Sequence, residues 1–302
     1  LLKKAKGVTF DYIEEVSEDS YASLISKADG LILRTQPLNS KVIKTAYRLK
    51  VVSRHGVGYD AIDLEALNQR KITLLIVGDV NSQSVAEHTM MMILCTFKRL
   101  LRCDLACRGT LPWSYRNSLE AQEVAGKRLL LVGYGRIGKK LAKMAMAFEM
   151  KISIFDPYLE KSVENQEITV ESSLWNGIEK ADCISLHVPY TGSPIFGRAE
   201  IMKMRASSIL INTARGGLVD DGELALALKK GQIGGVGIDV FSEEPPVVPH
   251  AYSDLDNAIL TPHMAGLSLE CAERMAVASV NNILDFFNGN INPSLIVNAN
   301  SL

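Results

Sequence analysis

The sequence predicts an α/β protein with two domains, each built around a doubly wound parallel sheet. Two observations lead to this fold class. Short apolar segments alternate with amphipathic ones along most of the chain, which is the pattern of parallel strands joined by helices. The length of 302 residues also exceeds what one hydrophobic core usually holds, and it suits two domains of roughly 100–200 residues.

The first part of the chain opens on a helical turn that ends at Gly7, and three apolar segments after it are predicted strands. These segments are Val8–Tyr12, Gly30–Arg34 and Leu49–Arg54. The spacing of apolar residues predicts helices over Tyr21–Lys27, Ser40–Tyr47 and Leu64–Gln69. Because the chain enters this series in mid-helix, we expect this domain to lack its first strand.

The second part of the chain begins with Ser84–Leu101, a long and mostly apolar segment that we expect to form a buried helix. Six further strands are predicted at Arg128–Val132, Lys151–Asp156, Asp182–Val188, Ser207–Thr213, Gly234–Val240 and Asn257–Thr261. Helices are predicted over Arg136–Phe148, Gly222–Lys230 and Ser268–Asn288. The last of them is long enough to return to the first domain. We therefore predict one domain of residues 1–94 and 270–302, and a central domain of residues 95–269.

The composition argues against several classes of function. A formal net charge of −1 gives no basic field to attract nucleic acid or an anionic membrane. The five cysteines form no CxxC pair and have no histidine at ligand spacing, so we expect free thiols and no metal site. No apolar run reaches the roughly 18 residues of a membrane span, and no signal peptide opens the chain. We expect a cytoplasmic protein.

A GxGxxG motif, Gly133 to Gly138, lies between a predicted strand and a predicted helix. In this context the first glycine makes the turn, and Gly135 lets the backbone approach a pyrophosphate. Gly138 lets the helix pack on the strand. The pyrophosphate would lie at the helix N-terminus, where N–H groups and the helix dipole favour an anion. Arg136 and Ile137 begin this helix and are therefore predicted to contact the cofactor as well.

Asp156 ends the next predicted strand and bears on which dinucleotide is bound. It follows the glycines by roughly 20 residues, the separation at which an acid binds the adenosine ribose diol. A carboxylate there would repel a 2′-phosphate, and no arginine follows in Pro157-Tyr158. The motif therefore predicts NAD rather than NADP. The alternative is an ordinary surface aspartate after a strand.

Arg215, Glu244 and His263 each follow a predicted strand of the same sheet. Ligands of open parallel sheets bind beyond the carboxyl ends of the strands, so these side chains are expected to converge. An arginine can hold a carboxylate with two donors and polarise the adjacent carbonyl. A histidine can exchange a proton near neutral pH, and a glutamate beside it would orient the ring and raise its pKa. Each residue alone has an ordinary structural explanation, whereas three coinciding strand ends favour a catalytic site.

Several longer motifs occur in order along the chain. They are residues 54–60, 81–89, 133–138, 185–189, 211–217, 237–241 and 261–263. Together they resemble the D-isomer-specific 2-hydroxyacid dehydrogenases, and most of all the D-3-phosphoglycerate dehydrogenase branch. The resemblance implies a Rossmann NAD-binding domain inserted in a flavodoxin-like substrate domain. It also implies an enzyme that interconverts a D-2-hydroxy acid and its 2-oxo acid with NAD, and a homodimer formed through the NAD domains, with residues 99–113 reaching across.

The resemblance also assigns roles to single residues. Arg215 would bind the substrate, His263 would be the acid and base, and Glu244 would be its partner. Asp239 would bind the nicotinamide carboxamide. The substrate carboxylate would meet the backbone at Val57 and Gly58, beside Arg54. Further cofactor contacts are predicted at His187, Val188, Pro189, Thr213, Ala214 and Gly266.

Two questions stay open at the level of sequence. Arg34 and Arg54 could meet a second anionic group on the substrate, such as a phosphate; alternatively, Arg54 pairs with a carboxylate such as Asp60 and Arg34 is merely exposed. The second question concerns the class of protein. An NAD-sensing corepressor-like binding protein on the same fold would keep the arginine, the glutamate and the histidine, and only turnover distinguishes it from an enzyme.

Overall fold

The computed structural model describes residues 1–15, 17–159, 163 and 167–301. The chain divides into two compact units, Leu1–Asn81 with Ser268–Leu302 and Ser82–Leu267. The first has a three-stranded sheet and the second a seven-stranded sheet, and all strand pairs are parallel. This confirms the predicted α/β class with two parallel sheets. The second unit begins at residue 82, whereas the sequence placed the boundary at 94 and 95.

The sheet of the first unit has the order β1-β2-β3. Its strands are β1 (Gly30–Leu33), β2 (Val51–Arg54) and β3 (Thr73–Leu75), and its helices include α1 (Asp19–Ala22), α2 (Ser40–Thr45) and α3 (Leu64–Gln69). Helix α3 begins where the Asp63 carboxylate accepts a hydrogen bond from the Ala66 N–H, at 2.9 Å. The predicted bounds of α3 are confirmed.

The predicted strand Val8–Tyr12 is wrong. The structure has no strand there, and Phe10 and Tyr12 are 43% and 80% exposed. The alternation of apolar and polar residues suggested a half-buried strand, but no neighbouring described strand pairs with this segment. A strand without a partner leaves its backbone groups to water and is not stable by itself.

The sheet of the second unit has the order β10-β9-β8-β7-β4-β5-β6. Its strands are β4 (Arg128–Val132), β5 (Lys151–Phe155), β6 (Ile168–Val170), β7 (Cys183–Leu186), β8 (Ile209–Asn212), β9 (Gly235–Ile238) and β10 (Ala258–Leu260). Strand β4 pairs with β5 on one side and with β7 on the other. The strand order therefore reverses at β4, which is where doubly wound sheets bind ligands at their carboxyl edge.

Helices cover both faces of this sheet. They are α4 (Ser82–Phe97), α6 (Arg136–Ala147), α7 (Leu174–Lys180), α8 (Arg198–Lys203) and α9 (Asp221–Lys229), whereas α5 (Leu100–Cys107) follows α4 and buries no residue. Along β4, Leu130 and Val132 point into the core that α7, α8 and α9 cover, whereas Leu129 and Leu131 point into the core with α4 and α6. Because both faces are buried, most of these strands consist largely of apolar residues.

The single helix predicted over Ser84–Leu101 is wrong, because the chain breaks between α4 and α5. Arg99 lies at the break with a left-handed backbone, φ +53°. Its guanidinium donates a 2.8 Å hydrogen bond to the carbonyl of Gly234, which holds this conformation from outside the helix. A long-range contact of this kind leaves no local trace in the sequence.

The last helix, α10 (Leu269–Asn288), belongs to the first unit. It begins where the Ser268 hydroxyl accepts from the Cys271 N–H at 3.2 Å, and it ends at Gly289, where φ is +74°. The Asn282 side chain donates 3.2 Å to the Ser53 hydroxyl of β2, which ties the helix to the sheet. Within the described ranges, no helix is both long and apolar enough to cross a membrane.

Candidate active site

The loop after β4 carries the GxGxxG motif, and its three glycines meet different surroundings. Gly133 has φ +95°, and a Cβ there would lie 2.6 Å from the carbonyl oxygen of His187. A Cβ at Gly138 would lie 2.6 Å from the Gly133 oxygen, whereas one at Gly135 would meet nothing within 4 Å. The first and third glycines thus allow close packing, and the second borders open space. This space lies at the start of α6, where a side chain would fill a cradle suited to a pyrophosphate.

Asp156 lies just beyond β5 with its carboxylate fixed beside the glycine loop. Its Oδ2 accepts from the Tyr134 N–H and its Oδ1 from the Tyr158 N–H, each at 2.9 Å. A carboxylate has about four acceptor positions, so these two bonds leave capacity for the hydroxyls of a ribose. The position fits the predicted ribose contact.

The segment after β7 packs against the glycine loop. His187 Nε2 lies 2.9 Å from the Ser185 hydroxyl, and burial lowers the pKa of the imidazole to about 4. The ring is therefore neutral at physiological pH. Val188 is half-buried beside Gly133, and Pro189 is exposed.

Glu244 and His263 form the predicted contact. Glu244 Oε2 lies 2.5 Å from His263 Nδ1, and Glu244 Oε1 accepts a 3.0 Å bond from the Phe241 N–H. The second bond fixes the carboxylate on its own loop. Because the contact uses Nδ1, Nε2 is the ring nitrogen left to exchange a proton with a substrate.

Hydrogen bonds and charges together raise the pKa of His263 and lower that of Glu244, which favours an ion pair between them. The hydrogen bond that His263 donates to Glu244 raises the pKa of His263 above its usual range, against the opposing effect of burial, and the charge of Asp239 adds to the rise. Burial alone would raise the pKa of Glu244, but the hydrogen bonds from His263 and the Phe241 N–H outweigh it and lower that pKa. The positive charge of Arg215 lowers both values.

Arg215 is half-buried and follows β8 at the start of a short 3₁₀ turn. Its guanidinium donates 2.7 Å to the Ala214 carbonyl, and its own carbonyl accepts 2.8 Å from the Asn212 side chain. The next residue must be glycine, because a Cβ at Gly216 would lie 2.0 Å from the carbonyl carbon of Phe241. This close approach joins the loop of Arg215 to the loop of Glu244, so the structure brings the three predicted catalytic residues together.

The loop that carries His263 is held by the fully buried carboxylate of Asp239. Asp239 Oδ1 accepts from the Thr261 hydroxyl at 2.5 Å and from the Met264 N–H at 2.9 Å, and Oδ2 accepts from the Ala265 N–H at 3.0 Å. The His263 N–H donates 2.7 Å to the Asp239 carbonyl, and the His263 backbone is left-handed, φ +49°. These contacts do not test the expected contact between Asp239 and the nicotinamide carboxamide, which stays a prediction.

Helix α4 contributes three polar side chains of the motif 81–89 to which the sequence analysis assigned no role. Ser84 donates 2.8 Å to the Ala265 carbonyl, and His88 Nε2 lies 3.0 Å from the Thr261 hydroxyl. The hydroxyls of Thr89 and Thr213 lie 2.9 Å apart. Thr213, a predicted cofactor contact, therefore lies against the same helix. The available signal was the recurrence of polar residues on one side of an otherwise apolar helix. Gly266 lies in the same loop as Ala265 and is half-buried.

The predicted substrate residues of the first unit form a turn after β2. Arg54 donates 2.7 Å to the Gly58 carbonyl and 2.9 Å to the His55 carbonyl, so its guanidinium supports the turn itself. Val57 packs on a small apolar cluster that contains Val77. Arg34, at the end of β1, is exposed.

Comparison with known proteins extends the similarity over nearly the whole chain. Residues 90–265 match the family model described as D-isomer specific 2-hydroxyacid dehydrogenase, NAD binding domain. A glyoxylate reductase from Thermofilum pendens is 35% identical, over 92% of this chain and 84% of that protein. A D-3-phosphoglycerate dehydrogenase from Methanocaldococcus jannaschii is 38% identical over 87% of this chain, but this covers only 52% of that protein.

The fold is also similar to that of a solved structure. The D-lactate dehydrogenase from Aquifex aeolicus, complexed with NAD and lactic acid, superposes with a TM-score of 0.85 at 28% identity. The match covers 93% of this chain and 90% of that one. These similar proteins are named as enzymes and differ in substrate, and none of them favours a binding protein without turnover.

Proposed function

Because the chain belongs to the D-isomer specific 2-hydroxyacid dehydrogenases, we propose that His263, held by Glu244, is the acid and base of its reaction. Members of this family are NAD-dependent oxidoreductases that act on a CH–OH group. The observation that carries the proposal is the 2.5 Å contact between His263 Nδ1 and Glu244, which leaves Nε2 for the substrate.

The second unit has the residues to hold NAD. The open space at Gly135 and the start of α6 would take the pyrophosphate, and the Asp156 carboxylate would take the adenosine ribose. NAD, when bound, supplies the hydride donor or acceptor of the reaction. Asp239 remains a candidate for the carboxamide contact, since its carboxylate lies directly under the His263 loop.

His263 would move the proton that accompanies the redox step. In the reducing direction, the protonated ring gives its Nε2 proton to the carbonyl oxygen of the 2-oxo acid. In the oxidising direction, the neutral ring takes the proton from the substrate hydroxyl. The raised pKa keeps the ring protonated up to a higher pH, which favours reduction near neutral pH.

Arg215 would bind and polarise the 2-oxo acid. A planar guanidinium can donate two parallel bonds to a carboxylate or to a carboxylate and the adjacent carbonyl oxygen. Its charge already acts on both Glu244 and His263, so its head group lies within electrostatic range of the proton-transfer pair. In the first unit, the turn at Val57 and Gly58 would contribute backbone N–H groups to the substrate carboxylate.

For the substrate, we propose a short 2-oxo acid of the glyoxylate or hydroxypyruvate type, and we assign any phosphate on it to Arg34. Arg54 donates three hydrogen bonds to backbone carbonyls, whereas Arg34 is exposed. The pKa of His55 is lowered first by burial and then by the charges of Arg34 and Arg54, so the two arginines act on one region. A phosphate there would meet a positive potential.

We also propose a homodimer formed through the second unit. Helix α5 has no buried residue, and apolar side chains are exposed on it and after it, including Leu101 (46%), Trp113 (66%) and Leu119 (88%). Several exposed apolar side chains on one segment would gain from burial against a second copy of the chain. Light scattering of the purified chain should give twice the mass of one chain, and a monomer at micromolar concentration would contradict the proposal.

The test of function is turnover of a panel of 2-oxo acids with NADH. Glyoxylate, hydroxypyruvate, pyruvate and 3-phosphohydroxypyruvate are compared in the wild type and in Arg34→Ala. The products of the last three acids, which are chiral, are analysed for their D configuration. We expect consumption of NADH with at least one acid, and a selective loss of the phosphorylated one in Arg34→Ala. Tight NADH binding without turnover of any acid would favour the binding-protein alternative.

A further inference from the structure

His88 lies in helix α4 outside the predicted catalytic group, yet it is connected to that group by hydrogen bonds. Its side chain is 12% exposed, and its Nε2 lies 3.0 Å from the Thr261 hydroxyl and 3.6 Å from Asp239 Oδ1. The Thr261 hydroxyl lies 2.5 Å from the same Asp239 oxygen. Three side chains from α4 and from the ends of β9 and β10 therefore form one chain of contacts.

The direction of these hydrogen bonds follows from counting hydrogens. The Asp239 carboxylate receives two backbone N–H groups, from Met264 and Ala265, so it acts as an acceptor. A hydroxyl has a single hydrogen, which Thr261 must give to Asp239. His88 can then only donate to Thr261, which assigns the hydrogen to its Nε2. The chain of donors runs from His88 through Thr261 to Asp239.

The acceptor at the end of this chain fixes the backbone on both sides of His263. Asp239 binds Thr261 two residues before it and Met264 and Ala265 directly after it. His263 itself is left-handed at φ +49°, a conformation that a non-glycine residue keeps only where its surroundings impose it. The contact between His263 Nδ1 and Glu244 depends on this backbone conformation.

We propose that His88 and Thr261 are positioning residues for His263, and that they act by directing the Thr261 hydroxyl onto the Asp239 carboxylate. The inference rests on the proposed role of His263 in proton transfer. Neither residue is required to touch the substrate. A purely structural role for the pair predicts a loss of stability alone, whereas a positioning role predicts a changed environment of the His263 ring.

The pKa of the His263 ring separates these two roles, because Glu244, Asp239 and Arg215 are the charged groups that act on it. It is measured by NMR titration of the five histidines, with His263→Asn identifying the resonance. The variants are Thr261→Val and His88→Leu, which remove one donor each, and Thr261→Ser and His88→Gln, which retain it. Thr96→Val is the matched control, because Thr96 is also buried and its hydroxyl donates 2.7 Å to its own helix at Met92.

We expect the pKa of His263 to fall towards about 6.5 in Thr261→Val and, less strongly, in His88→Leu. Turnover with NADH should fall on the order of tenfold in Thr261→Val, as for a lost hydrogen bond to a charged group, while the KM for NADH changes little. Thr261→Ser and His88→Gln should restore both values. Thr96→Val should leave both unchanged.

The proposal is overturned if Thr261→Val and His88→Leu titrate at His263 like the wild type, even when they are less stable. If Thr261→Val does not fold, the pair His88→Leu and His88→Gln decides the question by the same titration. The titration needs no substrate. A wild type that reduces no 2-oxo acid therefore refutes the proposed function, while the titration still decides whether His88 and Thr261 position the ring.

Discussion

Two loops of the second unit lie at the carboxyl edge of the same sheet but are held in different ways. The loop after β4 is shaped by close backbone approach, since a side chain at Gly133 would lie 2.6 Å from the His187 carbonyl oxygen. The loop after β10 is shaped by side-chain hydrogen bonds, since Asp239 binds Thr261 and two backbone N–H groups around His263. The loop after β4 can be recognised in the sequence by its glycine motif, whereas the hydrogen bonds that hold the loop after β10 can be recognised only in the structure.

The difference predicts which substitutions impair each loop. The glycine loop should lose its conformation or its cofactor binding when a larger side chain is introduced, because its function is to let other atoms approach. The His263 loop should lose its conformation when a polar group is removed, because this conformation depends on satisfied hydrogen bonds around a buried carboxylate.

The largest expected effect is that of His263→Ala. Turnover of a 2-oxo acid with NADH should fall by about two to four decades, the usual contribution of a general acid. The dissociation constant for NADH, measured by fluorescence titration, should stay within about threefold of the wild type, because the glycine loop is untouched. Unchanged turnover would remove His263 from the mechanism.

Gly135→Val tests the glycine loop. The space around this position is open, so the variant should fold normally, but the added side chain occupies the cradle for the pyrophosphate. We expect NADH binding to weaken on the order of a hundredfold, the equivalent of one or two hydrogen bonds to a charged group. Gly133→Ala is the contrasting variant: with φ +95° and no room for a Cβ, it should lower stability by about 1–3 kcal/mol in urea unfolding. Normal NADH binding in Gly135→Val would place the cofactor elsewhere.

Arg215→Lys tests the loop that Gly216 brings next to Glu244. A single ammonium retains the charge but not the two-donor geometry, so both the KM for the 2-oxo acid and kcat should be impaired. The combined loss in kcat/KM should be on the order of tenfold to a hundredfold. NADH affinity serves as the control, and wild-type kinetics would place Arg215 outside the substrate site.

The smallest expected effect concerns the choice of coenzyme. The Asp156 carboxylate lies at the edge of the glycine loop, where it would repel a 2′-phosphate. Replacing it in the double variant Asp156→Ser with Pro157→Arg should raise the ratio of kcat/KM for NADPH to that for NADH by about tenfold. A wild type that already prefers NADPH would refute the assignment of Asp156.

Parts of the fold could be predicted because they depend on local sequence. Most strands of the seven-stranded sheet are rich in apolar residues; Ile209, Leu210 and Ile211 of β8, for example, are all buried. Strand β6 (Ile168–Val170) was not predicted, because three residues of which one is exposed do not differ from a loop in sequence. The break at Arg99 was not predicted either, because a distant carbonyl, that of Gly234, holds it.

In the candidate site, too, some contacts could be predicted from the sequence and others could not. The ends of parallel strands meet at one edge, so the contact between Glu244 and His263 could be predicted from order and position alone. The role of His88 could not, because it depends on which face of α4 meets the end of β10. Arg54 had two sequence interpretations, an anion site or a pair with a carboxylate, and the structure adds its bonds to the carbonyls of Gly58 and His55.

The central claim is that Glu244 keeps His263 protonated so that it can act as the acid. The direct measurement is the pH dependence of kcat/KM for 2-oxo acid reduction in the wild type and in Glu244→Gln. Because the hydrogen bond to Glu244 raises the pKa of His263, the rate of reduction should fall as pH rises through that raised pKa. In Glu244→Gln the fall should begin at a lower pH, because the ring loses its proton more readily without the carboxylate. An alkaline limb at the same pH in both proteins would contradict the account.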